Sequence, residues 1–375
     1  MSPLNRLSMI LVLTTLLLVS GCNQAPEAPQ SMGKIMGSSA EGYTEVVQGK
    51  KLTFPLDHQA HNDFKQEWWY LTANLTTESG EPLGIQWTQF RIALSAPKNT
   101  QEQTLLSPNQ WQTNQLYTAH AALTSTHSHQ IAQNWSRGHP QLAYTHTEPF
   151  TVALKNWQWR SKSNQMFPAT LSVDTKDFAY QLTLISDTEF QLQGDQGYSI
   201  KSADNSVASY YYSQPFIKVT GSITRNGKQQ NVQGDAWLDR EWSSQFLTKS
   251  QQGWDWFSLR LNEQQTLMIF QLRGTAENPA FYSARLMNKD GTGRNINSRD
   301  NPNDISMTPI TWTQTALGKH PTEWQINIES EQISLHTKAL NPQSDMALSI
   351  AYWEGPIYFT GTHQGNGYME LTGYH

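Results

Sequence analysis

EWWYLTANLTTESGEPLGIQWTQFR, residues 67–91, returns in weaker form as GWDWFSLRLNEQQTLMIFQLR at residues 253–273. Trp68 falls on Trp254, Tyr70 on Trp256, Leu71 on Phe257 and Leu75 on Leu261. After a turn four residues shorter in the second copy, Gln89 falls on Gln271 and Arg91 on Arg273. Each stretch reads as two aromatic strands joined by a polar turn, a hairpin. A repeat of this length marks one supersecondary plan used twice.

The pattern extends outward from both hairpins. YTAHAAL at 117–123 is similar to YSARLM at 282–287. Alternating apolar and polar residues continue through YQLTLIS at 180–186 and FIKVTGSITRNGKQQNVQGDAW at 216–237. Asn226-Gly227 and Asp290-Gly291 supply the tight turns that hairpins favour. Helical periodicity is scarce after the first 21 residues. The reading is an all-β protein of two tandem, lipocalin-like antiparallel barrels, the first over residues 49–215 and the second over 216–375. A barrel of about eight strands has room inside for side chains or one small ligand.

The front of the chain reads as sorting, not as fold. Residues 1–21 place Arg6 before a short apolar run, and Val19-Ser20-Gly21-Cys22 resembles a bacterial lipobox. Cys22 is the single cysteine of the chain, so lipidating it leaves none for a disulfide. Residues 22–48 are rich in Pro, Gly, Ser and Gln and read as a flexible tether. Asn23 in place of Asp points to the outer membrane, facing the periplasm. A net charge of -5 without a basic cluster argues against nucleic acid as partner. No spacing of His and Cys suits a metal, and no glycine-rich loop or serine elbow suggests a cofactor or a serine nucleophile.

Charged residues are only 15% of the chain, yet GDAWLDREWSS at 234–244 crowds three, Asp239, Arg240 and Glu241, between Trp237 and Trp242. On a strand, Trp237, Asp239 and Glu241 share one face, and Leu238, Arg240 and Trp242 share the other. Asp239, Glu241 and, in the following strand, Asp255 are candidate acid–base groups, because burial beside apolar rings keeps a carboxyl protonated. Trp237, Trp242, Trp254, Trp256, Tyr212 and His120 are candidate ligand contacts. Fixed ion pairing that closes a barrel end is the other reading of the cluster, with Glu67, Arg91 and Arg240 as its members.

EWWYLTANL, YTAHAAL, GYSIKSADNSVASYYYS, GDAWLDREWSS, GWDWFSLRL and GNGYMELTGY, taken in order, resemble the AttH-like lipocalin-like family. That family is often labelled "predicted secreted hydrolase" and includes the carotenoid 1,2-hydratases. The resemblance implies two lipocalin-like barrels and, for the hydratase branch, addition of water to an isoprenoid double bond without a redox cofactor. That branch carries His where Arg240 stands, and arginine cannot shuttle protons near neutrality. The resemblance also implies genes beside those of ABC transporters, hence a transporter as partner. The expected function is an envelope lipoprotein that binds an elongated apolar ligand, such as a lipid, a fatty acyl chain or an isoprenoid. The alternative is a cofactor-free hydratase or hydrolase.

Overall fold

The computed structural model describes residues 30–31, 40–97 and 113–374. The leader, Cys22 and most of the expected tether lie outside the described residues. Residues 40–48 form no helix or strand but are docked. The Tyr43 hydroxyl donates to the Ala93 carbonyl at 3.0 Å, and the Val47 amide donates to the Tyr210 hydroxyl at 2.9 Å. The backbone of Gln30–Ser31 runs parallel to Ile350–Ala351.

Two antiparallel sheets make up the body. The first contains β1 (Gln66–Thr77), β2 (Pro82–Ala93), β3 (Gln115–Ser125), β4 (His129–Arg137), β5 (Ala143–Thr147) and β6 (Phe150–Leu154). It continues with β7 (Trp157–Ser161), β8 (Ala169–Asp174), β9 (Phe178–Ile185), β10 (Ala208–Arg225) and β11 (Lys228–Ser243). Its order is β4-β3-β2-β1-β11-β10-β9-β8-β7-β6-β5, and β3 and β4 curl round to touch β6, so the barrel nearly closes. The second sheet contains β12 (Gly253–Arg260), β13 (Gln265–Arg273), β14 (Phe281–Asn288), β15 (Gly293–Asn297) and β16 (Ile305–Gln314). It ends with β17 (Lys319–Ile328), β18 (Ile333–Ala339), β19 (Ile350–Gly361) and β20 (Gly365–Leu371). The order β15-β14-β13-β12-β20-β19-β18-β17-β16 leaves its two edge strands unpaired with each other, a half-barrel.

Local chemistry explains the strands. β18 alternates strictly between buried and exposed residues, as a half-buried strand must. Between β10 and β11, Asn226 and Gly227 both have positive φ, 52° and 71°, which the tight hairpin turn requires. Each sheet joins its first long strand to its last, β1 to β11 and β12 to β20, which is the structural form of the repeat. The division between the halves read from the sequence, 215/216, falls inside β10 at a bulge between Gln214 and Ile217. The first sheet runs on to Ser243, because β11 must pair with β1 to approach closure.

The lumen of the first barrel is filled. Trp69, Trp87, Trp157 and Trp159 are fully buried in a cluster with aliphatic side chains. Phe257, Ile269, Trp324 and Trp353 do the same for the second. Each such side chain contributes about 1.5–3 kcal/mol through burial. A third cluster, with Tyr70, Tyr211, Trp237, Trp256 and Phe270, packs the outer faces of the two sheets against each other. The candidate cleft lies in this seam.

Candidate functional site between the two sheets

Parity on the strands decides which side chains meet. On β11, Asp239 and Glu241 point into the seam, while Leu238 joins the core of the first barrel. On β12, Trp254 and Trp256 point into the same seam, while Phe257 and Leu259 fill the second barrel. The result is a narrow cleft, partly open to solvent, with a cavity volume of about 80 Å³. Trp68, Phe90, Phe246 and Phe270 supply much of its apolar lining, and Asp239, Glu241, Glu370 and Lys201 its charge-bearing groups.

Asp239 is held by three donors. The Tyr211 hydroxyl and Trp237 Nε1 each lie 2.8 Å from it, and the Ser213 hydroxyl donates to the same carboxyl. Burial still pushes Asp239 up to about 7; the donors oppose the rise and Glu241 adds to it. Trp256 Nε1 donates to the Tyr211 oxygen at 3.3 Å, so this network joins the two sheets. Glu241 is paired with Lys201 at 2.7 Å and accepts from Ser209. Lys201 also rests on the rings of Tyr211 and Phe270, 4.8 and 4.7 Å from their centres.

The second sheet brings its own carboxyls. Glu370 accepts from Trp254 Nε1 at 3.1 Å. Burial, with Asp239 and Glu241 nearby, pushes it up to about 8. Glu354, opposite Glu370 in the β19–β20 register, accepts from the Tyr70 hydroxyl at 2.5 Å. Burial and then Glu370 raise Glu354 well above the carboxylate range.

The remaining sequence candidates lie elsewhere. Asp255 faces the second barrel, not the cleft. It accepts from Arg273 at 2.6 Å and Gln271 at 2.5 Å, because its parity is that of Phe257. Trp242 and Tyr212 face into the first barrel, where Trp242 stacks on His61 at 4.0 Å and Tyr212 bonds to His58 at 2.6 Å. Tyr211, one residue away, takes the cleft position instead. His120 sits behind the wall, 2.9 Å from the Tyr352 hydroxyl, and burial lowers it to about 3, so it is neutral. Trp237 touches Asp239 from the side. Glu67 pairs with both Arg91 and Arg240 inside the first barrel. Burial alone would raise Glu67, but the two guanidiniums hold it well below the carboxylate range. Arg240 also lies over Trp69, 3.9 Å from the ring centre. Among the described residues no group of three or more His, Cys, Asp or Glu could hold a metal ion.

Sequence reasoning did not select Glu354, Glu370, Tyr70, Tyr211, Tyr352 or Lys201. For Glu370 a signal existed. GDAWLD at 234–239 and GNGYME at 365–370 align, which puts Glu370 on Asp239 and Tyr368 on Trp237. The register agrees, since Asp239 lies opposite Tyr70 and Glu370 opposite Trp256.

Comparison with known proteins gives a consistent result. The AttH-like family profile matches residues 45–374. A solved structure from Nitrosomonas europaea, described as an AttH, is 34% identical with a TM-score of 0.75, covering 88% of this chain and 100% of its own. Kievitone hydratase from Nectria haematococca shares the fold at 15% identity and TM-score 0.65, covering 88% of this chain and 96% of its own. CghA in complex with Sch210972 matches at 9% identity and TM-score 0.51, over 93% and 99%. No curated protein matches the chain significantly.

Proposed function

The chain belongs to the AttH-like family, and from the cleft we propose a cofactor-free, hydratase-like enzyme that adds water to, or removes it from, an apolar substrate. One observation carries the reading. Asp239 and Glu370, on the two walls of an aromatic cleft, are pushed up to about 7 and about 8, so both exchange protons near neutrality. Protonating an isolated double bond needs an acid that keeps its proton in an apolar site. The cation that forms is stabilised by ring faces, by about 0.5–2 kcal/mol each; Trp68, Trp254 and Trp256 present such rings here. A carboxylate on the other wall then takes a proton from the attacking water. Kievitone hydratase supports the reading by analogy of fold only.

The substrate class is an elongated lipid, acyl or isoprenoid chain, matched to the apolar lining. The lipobox-like Val19-Ser20-Gly21-Cys22 supports an anchor at Cys22 on the periplasmic face of the outer membrane, and the family resemblance supports an ABC transporter as partner. Labelling with a radioactive fatty acid tests the anchor, which a Cys22→Ala variant should lose. A carrier role without turnover is the second reading. It is favoured by Phe90, Phe246 and Phe270, which make part of the cleft wholly apolar.

The test is incubation with unsaturated lipid and isoprenoid extracts in ¹⁸O-labelled water. Wild type should place the label in a product hydroxyl, and Asp239→Asn should lose about 10²-fold or more with little change in Tm. Bound but unlabelled extract components would favour the carrier. No label and no bound component would end both readings.

A further inference from the structure

We propose that Glu370 is the proton donor of the cleft and Glu354 its positioning residue, the two carboxyls sharing their protons across one strand pairing while Asp239 acts as the acceptor. The proposal rests on the acid–base reading above. Glu354 on β19 and Glu370 on β20 are direct partners in an antiparallel register. Residues so placed have Cβ atoms about 4.5–5.5 Å apart, and two like charges there repel. Glu354 is 1% exposed, whereas Glu370 lines the cleft. Among the described residues neither carboxyl is balanced by a cation; Lys201, the cation of the cleft, is held by Glu241 at 2.7 Å.

The two walls differ in what they offer a carboxyl. Asp239 accepts from three donors, which favour its anion. Glu370 accepts from one, Trp254 Nε1. Glu354 accepts from Tyr70 on one oxygen, and the Tyr352 hydroxyl lies beside it. When neighbouring carboxyls differ in this way, the poorly served one holds the proton and the well served one receives it. The other titratable groups facing the pair are Tyr70 from β1, Asp239 and Glu241 from β11, and Tyr352 from β19. Tyr368 flanks Glu370 on its own strand, and Tyr211 and Lys201 close the far side of the cleft.

In the hydration direction the Glu370 O–H bond breaks and its proton forms a C–H bond with the alkene π pair. Water adds to the cation through oxygen and gives its proton to the Asp239 carboxylate. Glu354, still protonated, stabilises the new Glu370 anion. The site resets when Asp239 releases its proton to solvent and Glu370 takes one up.

The experiment is an infrared pH titration of protein labelled with ¹³C at the glutamate side-chain carboxyl. Wild type should keep a protonated-glutamate band at pH ~7 and lose it in two steps, the later one belonging to the coupled pair. That last step should disappear in both Glu354→Gln and Glu370→Gln, leaving one titration at least tenfold lower in proton affinity. A band absent at neutral pH, or a last step that survives in Glu370→Gln, overturns the proposal. If Glu354→Gln does not fold, Tyr70→Phe keeps both carboxyls and should move the last step upward; no movement counts against the pair. In the ¹⁸O assay Glu370→Gln should lose at least 10²-fold, and Glu354→Gln should lose less while its pH profile of turnover shifts to lower pH, because Glu370 then ionises more readily. Turnover that survives Glu370→Gln removes the donor assignment. The two infrared steps without any wild-type hydration would leave the carboxyl pair standing and sink the hydratase reading instead.

Discussion

Glu67 and Glu370 are carboxyls of one residue type, each the partner of a strand in a β hairpin or pair, yet their environments drive them in opposite directions. Glu67 lies inside the first barrel between Arg91 and Arg240 and is held well below the carboxylate range. Glu370 lies between the sheets beside Glu354 and is pushed up to about 8. Burial acts on both; the presence of a guanidinium decides the sign. Inside the barrels guanidiniums pair with Glu67 and Asp255, and Lys201 pairs with Glu241, whereas among the described residues Asp239, Glu354 and Glu370 have no guanidinium to neutralise them. Structure and chemistry are thus separated by strand parity, one residue apart on β11, where Arg240 belongs to the first and Asp239 to the second.

The contrast can be broken most sharply at Glu67. Glu67→Gln leaves two buried guanidiniums without their counter-charge and should cost about 3–5 kcal/mol of stability by denaturant unfolding. Glu370→Gln, in contrast, should be tolerated. If the two variants lose equal stability, the separation of roles is wrong.

A smaller effect appears in the pH dependence. Glu67, depressed on folding, contributes stability above its unfolded value, and that contribution is lost as pH falls below about 4.5. Glu370, raised on folding from 4.5 to about 8, contributes stability at low pH that is lost as pH rises through that window. One such group changes stability by at most about 1.4 kcal/mol per pH unit. Stability of Glu370→Gln measured from pH ~5 to ~9 should therefore fall less steeply than that of wild type. Equal slopes would show that Glu370 is not raised in the folded protein.

Adjacent tyrosines give the finest test. Tyr212→Phe removes the partner of buried His58 and should cost about 1–3 kcal/mol without changing chemistry in the cleft. Tyr211→Phe removes a donor to Asp239 and should raise the pH at which that carboxyl ionises. Reversed effects would mean the two rings had been assigned to the wrong faces.

Much of this was legible in the residues. The aligned hairpins at 67–91 and 253–273 announced two copies of one antiparallel plan, and alternation placed Asp239 and Glu241 opposite Arg240 and Trp242. Alternation also sorts Asp255 from Trp254 and Trp256, but it cannot say which face of β12 meets β11. For that reason Asp255, paired with Arg273, looked equal to Asp239. Tyr212 stood in for Tyr211 on the same ground: a run of three tyrosines puts rings on both faces, and sequence does not label the faces. Glu354 was hidden more deeply, since it becomes a neighbour of Glu370 only through the β19–β20 register.

Sequence alone determined the fold class, the repeat and the parity of each strand, because these follow from local alternation and turn chemistry. The tertiary structure decided that both lumens are filled, that the cavity lies between the sheets, and which carboxyls lack a cation. Those properties arise from contacts between residues as far apart as Tyr70 and Glu354, and a carboxyl's proton affinity is set by everything packed around it rather than by its neighbours in the chain.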